Sequence, residues 1–421
     1  MFDKDKWQEI FQTLKQNKLR TALTAFGVFW GIFMLIIMLG AGNGLRNAVY
    51  YGFENFATNS AFTWTRRTTI PYQGFDRGRS WNFTTRDMLA LRENIPEIKY
   101  LAPRLQGTSK GSIAIVTRGL KTGDYTIYGD YPDYAKIDSQ KILTGRFIND
   151  YDIKYKRKVA VIGTRVREVL FDKDESPVSK YIDIEGVYFQ VIGVFKPINT
   201  KISFGGNPEE LIYVPFTTSQ IAFNYGDIVH YYAITAKDGI PVSVVDKKAK
   251  SLLKQRHKIH PDDDRAIGGF NLEQEVKKIN GLFTGINVLV WIVGIGTLLA
   301  GVIGVSNIML IIVKERTKEI GIKRAIGAQP NTIIGQIILE SIFLTAIAGF
   351  AGLTVGVWLL ELINMALTAS GGNSKAFRNP EVNFGIAFTA LLIIVISGAF
   401  AGLLPAQRAI SIKPIDALRD E

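Results

Sequence analysis

Residues 280–313 read NGLFTGINVLVWIVGIGTLLAGVIGVSNIMLIIV, a tract without one charged residue between Lys278 and Lys314. A bilayer core about 30 Å thick takes roughly 20 apolar residues as a helix. At 1.5 Å per residue this tract would run about 50 Å, so it must tilt strongly or leave the bilayer as a stalk. Three more charge-free tracts flank it along the chain. Thr21–Leu45 lies between Arg20 and Arg46, Ser341–Leu360 between Glu340 and Glu361, and Val382–Gln407 between Glu381 and Arg408. The Ser341–Leu360 tract has an apolar pattern reaching upstream to Asn331. The expectation is an α-helical membrane protein with four transmembrane helices, at residues 21–45, 279–313 (with stalk), 331–367 (with stalk) and 382–407. The first tract is too long for a cleaved signal peptide, starts about twenty residues in, and is followed by no A-x-A-like site.

Lys and Arg in the short flanks orient the chain. Residues 1–20 carry Lys4, Lys6, Lys15, Lys18 and Arg20, and residues 314–330 carry Lys314, Arg316, Lys318, Lys323 and Arg324. The 408–421 tail adds Lys413 and Arg419, whereas the 368–381 connection holds Lys375 and Arg378. Both termini and the 314–330 loop are thus expected in the cytoplasm, and the large 46–278 block outside. Within residues 1–20, Trp7, Ile10, Phe11 and Leu14 recur at helical spacing among lysines. That is the pattern of an amphipathic helix on the inner membrane surface or against a partner protein.

The 46–278 block switches to short strands and turns. Strands are expected at Ser60–Trp64, Ser112–Arg118, Asp124–Gly129, Lys158–Ile162, Tyr181–Ile184, Tyr188–Phe195, Glu210–Pro215 and Val229–Ala236. Helices are expected at Thr85–Asn94, capped by Thr84 or Thr85 before Asp87, and at Pro241–His257. Strand–helix segments at both ends (46–119 and 221–278) enclose a mostly strand segment, about 120–220. This ordering describes an α+β domain with an inserted β-rich subdomain.

The chain carries 50 Lys+Arg against 38 Asp+Glu, a formal charge of +12. The 46–278 block holds 35 of those basic residues against 27 acidic ones, which leaves nucleic acid an improbable partner for a charge facing away from the cytoplasm. Membrane lipids fit better, and a solvated face is the plainest reading. With no cysteine, disulfide scaffolds, thiol nucleophiles and Cys-based metal sites are excluded. Gly107-Thr108-Ser109-Lys110-Gly111 matches G-x-S-x-G, but a strand rather than a helix is expected to follow, which makes it a Gly-rich turn. His257 and His260 beside Asp262, Asp263 and Asp264 read as a solvated turn rather than a metal site. The dipeptide Gly-Lys does not occur, so residues 1–421 contain no P-loop, and ATP must be bound by a partner. No catalytic, cofactor or metal residue is expected.

Small residues recur four apart within the spans: Gly27/Gly31, Gly40/Gly44, Gly352/Gly356 and Gly398/Gly402. Such pairs let helices approach closely, and some of them are expected at a dimer seam. Among intramembrane polar residues, Asn307 and Glu340 stand out. An ionisable residue there is a functional candidate, although a helix–helix hydrogen bond is the plainer role for Glu340. No chain of charged residues lines a conduction path, which argues against a channel or proton-coupled carrier.

Residues 314–330 read KERTKEIGIKRAIGAQP. The alternating charges support a short helix through i,i+3 and i,i+4 pairs. Ile320, Ile322 and Ile326 give it an apolar face, and Gly327 before Pro330 ends it. A charged amphipathic helix between two spans suits docking into a groove of a soluble protein. Its wording resembles the ERT-x-EIGI-x-[RK]-A-[IL]-GA signature of MacB-like (FtsX/Lol-type, type VII) ABC transporter permeases. The residues are Glu315-Arg316-Thr317, Glu319-Ile320-Gly321-Ile322 and Arg324-Ala325-Ile326-Gly327-Ala328. Further elements of that family lie in order along nearly the whole chain. They are Leu19-Arg20-Thr21-Ala22-Leu23-Thr24, Val159-Ala160-Val161-Ile162-Gly163, and Phe189-Gln190-Val191-Ile192-Gly193-Val194. Gln336 to Ser341, Pro405-Ala406-Gln407-Arg408-Ala409 and Pro414-Ile415-Asp416-Ala417-Leu418-Arg419 complete the set.

The resemblance implies a non-catalytic permease with a porter-like external domain and an inserted sabre-like subdomain. It implies a homodimer, or a pair with a paralogous permease, in the inner membrane. It also implies that the 314–330 loop couples to an ABC ATPase through Glu315, Arg316, Thr317, Glu319, Ile320, Gly321, Ile322, Arg324, Ala325 and Gly327. ATP-driven movement would be relayed to the external domain without substrate crossing the membrane, which is mechanotransmission. Because about 20 residues precede the first span, too few for a domain, the ATPase is expected as a separate chain. Three functions share this architecture: export of peptides, toxins or antibiotics with a periplasmic adaptor and an outer-membrane channel; lipoprotein release; and a signal relay to an external cell-wall hydrolase.

Overall fold

The computed structural model describes residues 18–54, 56–198, 206–369, 377–382 and 384–411. The amphipathic stretch expected in residues 1–20 falls, up to residue 17, outside them, as does the tail beyond residue 411. The chain forms two compact units: a helical unit, Met1–Val49 with Gly281–Glu421, and a sheet unit, Tyr50–Asn280.

The first charge-free tract forms α1 (Lys18–Tyr51). The sheet unit then opens with β1 (Ser60–Thr65), a short β2 (Phe83–Thr84), α2 (Thr85–Asn94), β3 (Ile98–Gln106), β4 (Ile113–Arg118) and β5 (Lys121–Asp130). Next come α3 (Tyr134–Ile137), β6 (Gln140–Gly145), α4 (Asp150–Lys154), β7 (Val159–Gly163), α5 (Thr164–Leu170), β8 (Tyr181–Ile184) and β9 (Val187–Pro197). The unit closes with β10 (Leu211–Pro215), α6 (Phe216–Ala222), β11 (Ile228–Val229), β12 (Tyr231–Ala236), α7 (Val242–Arg256) and β13 (Ile267–Asn271).

These strands make two sub-sheets that share β3. An open antiparallel half runs β3–β12–β1–β13. On one side it buries Leu91, Val245, Ala249 and Leu253 of α2 and α7 against Leu101, Tyr232 and Ile234. In the other half, β5 pairs β4, β4 pairs β8, β8 pairs β9, β9 pairs β7, β7 pairs β10, and β10 returns to β5. The strands therefore close into a six-membered ring, which leaves none of those six with an open edge. Its interior is Val116, Ile127, Ile162, Ile184, Phe189, Val191 and Ile212, with Val166 and Leu170 of α5 packed in.

This ring is the expected β-rich insertion, with one corrected boundary. Residues 113–118 were assigned to the outer domain, but β4 is a ring strand. The cause is local: β4 and β5 form a hairpin through Gly119 (φ +59°) and Leu120, with Arg118 opposite Lys121. A turn of that length commits both strands to one sheet. The boundary moves back to the Gly107–Gly111 turn, where Thr108 and Gly111 exchange backbone hydrogen bonds. That is the Gly-rich turn read from G-x-S-x-G.

β3 carries the junction between the halves. Its residues up to Arg104 pair with β12, while Leu105 and Gln106 pair with β5. At the hand-over Arg104, 2% exposed, donates from Nε and Nη2 to the two carboxylate oxygens of Asp130 at 2.6 and 2.7 Å. Its Nη1 donates to the hydroxyls of Tyr134 and Tyr231, and its guanidinium lies 3.7 Å from the ring centres of Tyr128 and Tyr134. Burial disfavours the charge, and the Asp130 carboxylate more than offsets this, holding the proton on Arg104 more firmly than usual.

The histidine turn is solvated at Asp262 and Asp264, as expected, whereas His257 and Asp263 are drawn into the unit, His257 by a buried acid. Asp87, third residue of α2, closes a capping box with Thr84 and also accepts from Arg256 Nε at 2.7 Å, with His257 Nε2 2.7 Å away. Burial alone would raise its pKa, but these bonds hold the carboxyl well below the usual carboxylate range. Asp263, 1% exposed, accepts from Thr69 N at 2.6 Å, Thr69 Oγ1 at 2.7 Å and Ile70 N at 3.1 Å. Both acids pin surrounding loops onto the open half. Among the described residues no group of three metal-ligating side chains is gathered.

The helical unit continues with α8 (Leu272–Glu315), α9 (Thr317–Ala325), α10 (Pro330–Ala369) and α11 (Phe384–Ile410). Among the described residues, α1, α8, α10 and α11 are the four helices long and apolar enough to cross a bilayer. α8 starts at Leu272 rather than at 279. Asn271 Oδ1 accepts from Gln274 N, and Glu273 and Glu275 stand in the first turn, where acidic residues suit the positive end of the helix dipole. The small-residue pairs expected at a dimer seam pack inside the protomer instead. Gly27 and Gly31 meet Gly301 and Leu298, Gly352 lies against the Phe29 backbone, and Gly398 and Gly402 lie against Ile342 and Ile338. Two long antiparallel helices need these close approaches merely to form one bundle.

Candidate functional site in the loop between the second and third spans

Residues 314–330 fold as a short helix held between two long ones. Arg316 occupies the N-cap of α9, and Thr317 donates its hydroxyl to the Lys314 carbonyl at 2.7 Å as α8 ends. At the other end Ala328 N reaches Lys323 O at 3.0 Å and Gly327 N reaches Arg324 O at 3.1 Å. Gly327 has φ +103°. This pair of bonds around a left-handed residue is a Schellman stop, which explains why Gly327 is needed before Pro330 starts α10.

Arg316 sets how α9 sits. Its Nε donates to Glu319 Oε2 at 3.0 Å and its Nη1 to Glu340 Oε1 at 3.2 Å. Glu340 belongs to α10 and its side chain is 8% exposed. A carboxylate buried in an apolar helix is costly unless paired, so the pair explains why Glu340 is tolerated. At the far end Arg324 Nη1 donates to the Ile410 carbonyl of α11 at 2.6 Å. The small helix is thereby tied to α10 at its start and to α11 at its end. A cleft beside the first tie is lined by Ile312, Val313, Arg316, Glu319, Ile320, Lys323, Gln336 and Glu340.

The apolar residues of α9 do not share one face, contrary to expectation. Ile320 packs into the bundle beside Val305, Met309 and Ile333, and Gly321 is buried. Ile322 is 42% exposed and Ile326 82%. At about 100° per residue, positions 320 and 322 point roughly opposite ways. Lys318, Ala325 and Gly327 join the exposed side, as do Glu315 and Glu319. The outward surface is thus two isoleucines ringed by charge. Of the two intramembrane polar candidates, Glu340 joins this site, while Asn307 lies on the outward face of α8. Neither the Arg316–Glu340 tie nor the Arg324–Ile410 tie carries a spacing signal, because the partners are far apart in sequence.

The family model described as MacB-like periplasmic core domain matches residues 21–252, and that described as FtsX-like permease C-terminal matches residues 291–414. The chain belongs to the MacB-like ABC transporter permeases. Among its relatives is the pyoverdine export ATP-binding/permease protein PvdT of Pseudomonas entomophila (strain L48), 28% identical over 418 residues. That match covers 98% of this chain and 59% of the relative. The macrolide export ATP-binding/permease protein MacB of Bdellovibrio bacteriovorus is 29% identical over 413 residues, covering 98% of this chain and 61% of the relative. The chain therefore spans about three fifths of the length of these curated relatives. The crystal structure of the periplasmic region of MacB from Actinobacillus actinomycetemcomitans matches with a TM-score of 0.43 at 19% identity, over 54% of this chain and 95% of that one.

Within the MacB-like family, α1, α8, α10 and α11 are the transmembrane helices and the sheet unit is the periplasmic core domain. The α9 loop falls within the FtsX-like segment.

Proposed function

We propose that this MacB-like permease is the membrane subunit of an exporter driven by an ABC ATPase that docks on the cytoplasmic loop at α9. One observation carries the reading. Ile322 and Ile326 are turned outward on a helix whose two ends are tied by Arg316 to α10 and by Arg324 to α11. An apolar pair displayed on a braced helix gives a partner something to push against, and the ties deliver the push to the bundle. α8, unbroken from Leu272 to Glu315, supports mechanotransmission as the relay. ATP is bound by the ATPase rather than by residues 1–421, which hold no P-loop motif.

Export of small peptides or antibiotics is the proposed task, by analogy with relatives named for pyoverdine and macrolide export. A periplasmic adaptor and an outer-membrane channel complete that assembly. A second copy of the chain is the proposed neighbour of α8, whose outward face carries Gly285, Gly296, Gly304 and Asn307 with open space beside the three glycines. The test is co-purification from native membranes. The unaltered chain should bring down an ATP-binding protein, and Ile322→Asp with Ile326→Asp should lose it. Equal recovery from both would remove the docking assignment.

A further inference from the structure

One face of α7 turns Ser243, Asp246, Lys247, Lys250, Ser251 and Lys254 toward an open groove of about 660 Å³ in the sheet unit. Its remaining walls are Tyr72, Gln73, Gln255, Ile259, Gln274, and Pro261 and Asp264 of the following turn. Residues 243 to 254 cover roughly 17 Å of helix, the length of about five residues of extended chain. The volume lies in the range of roughly 300–1,000 Å³ usual for ligand sites. Hydroxyl and amide side chains, among them Ser251, Gln73 and Gln274, alternate with charged ones in the lining, and these can both donate to and accept from peptide groups.

The lysines differ in how they are satisfied. Lys250 is bound to Asp246 at 2.7 Å, and Asp246 is itself buried. Lys254, 8% exposed, donates to the Pro261 carbonyl at 2.8 Å and to Asp264 at 2.7 Å. Yet the Asp264 side chain is 94% exposed. A solvated carboxylate thus occupies a buried ammonium, and a carboxylate from outside could replace it with little loss, since Asp264 would return to water. Lys247 is exposed and makes no ion pair among the described residues.

We propose that this groove binds an extended peptide segment bearing carboxylate side chains, one of which takes the place of Asp264 on Lys254 while another meets Lys247. The inference stands apart from the coupling role of α9 and holds whether or not an ATPase docks there.

The test uses the full chain in detergent micelles and a fluorescein-labelled hexapeptide of alternating glutamate and serine, followed by fluorescence anisotropy at low salt. Binding should saturate, and Lys247→Glu, on an exposed helix position, should weaken it about tenfold. Asp264→Asn should tighten it several-fold by freeing Lys254, a gain that damage to the fold cannot mimic. Asp262→Asn, which removes an exposed charge of the same turn outside the groove, should leave it unchanged. The proposal is overturned if the glutamine-for-glutamate peptide binds equally well, if Asp264→Asn and Asp262→Asn behave alike, or if free glutamate competes at the same concentration as the peptide.

Discussion

Two arginines join segments of this molecule, and they do so differently. Arg104, 2% exposed, forks onto Asp130 with the Tyr128 and Tyr134 rings 3.7 Å from its guanidinium, where β3 passes from the open half-sheet to the closed ring. Arg316, with a side chain 20% exposed, shares itself between Glu319 on its own helix and Glu340 on α10. The first places four of its five N–H donors on Asp130, Tyr134 and Tyr231, a buried arrangement that leaves no cheap alternative. The second can trade one carboxylate for the other while staying wet. A bidentate, desolvated pair makes a fixed joint, whereas a shared, partly exposed one makes a latch that can be reset. That contrast fits a sheet unit that holds its shape and the transmitting role proposed for the loop.

The largest effect should come from breaking the fixed joint. Arg104→Met leaves Asp130 buried without its partner, and we expect about 3–5 kcal/mol of lost stability. Limited proteolysis of the full chain should show cleavage within the sheet unit. Adding Asp130→Asn should recover part of the loss, and a double variant as unstable as the single one would refute the pairing argument.

Next comes acid. The folded pKa of Asp87 lies below its unfolded value of about 4. Its contribution to stability is therefore complete above that pH and drains away as pH falls toward the folded value. Asp87→Asn should be clearly less stable than the parent at pH 7, and the two should converge on acidification. A constant difference from pH 7 to pH 3 would show that the cause is packing rather than charge.

The latch should behave oppositely to the joint. Glu340→Gln, which removes the buried charge together with the pair and leaves Arg316 to Glu319 and water, should change stability by only about 1 kcal/mol while transport-linked ATP hydrolysis by the reconstituted complex falls sharply. Exchanging the charges with Arg316→Glu and Glu340→Arg should restore part of the activity. If Glu340→Gln unfolds the bundle instead, the pair is a joint like Arg104, and the contrast fails.

Much of the architecture was legible because charge and hydropathy act locally. The four spans follow from uninterrupted apolar tracts, and the Thr84–Asp87 cap and the Gly327 stop from residues within about one turn of each other. β3 was not legible, because Pro103 argues against a strand. It is accommodated because β3 pairs with β12 on one side there and reaches β5 only from Leu105. β13 was hidden by Gly268-Gly269, which offers no β-branched signal, although Trp64 and Arg66 lie over Gly268. At the loop, the helix and its C-terminal stop could be read, but not which isoleucine faces out. That depends on Arg316 reaching Glu340 and Arg324 reaching Ile410, contacts that spacing along the chain cannot announce.

The most direct measurement exploits the absence of cysteine from the chain. Single cysteines at Ile326, Ile322 and Ile320, each carrying a photo-cross-linker, should be activated in native membranes. The account predicts capture of an ATP-binding protein from positions 326 and 322 and little from 320, which faces the bundle. Capture from 320 as strong as from 326, or no ATP-binding protein at either outward position, would contradict it.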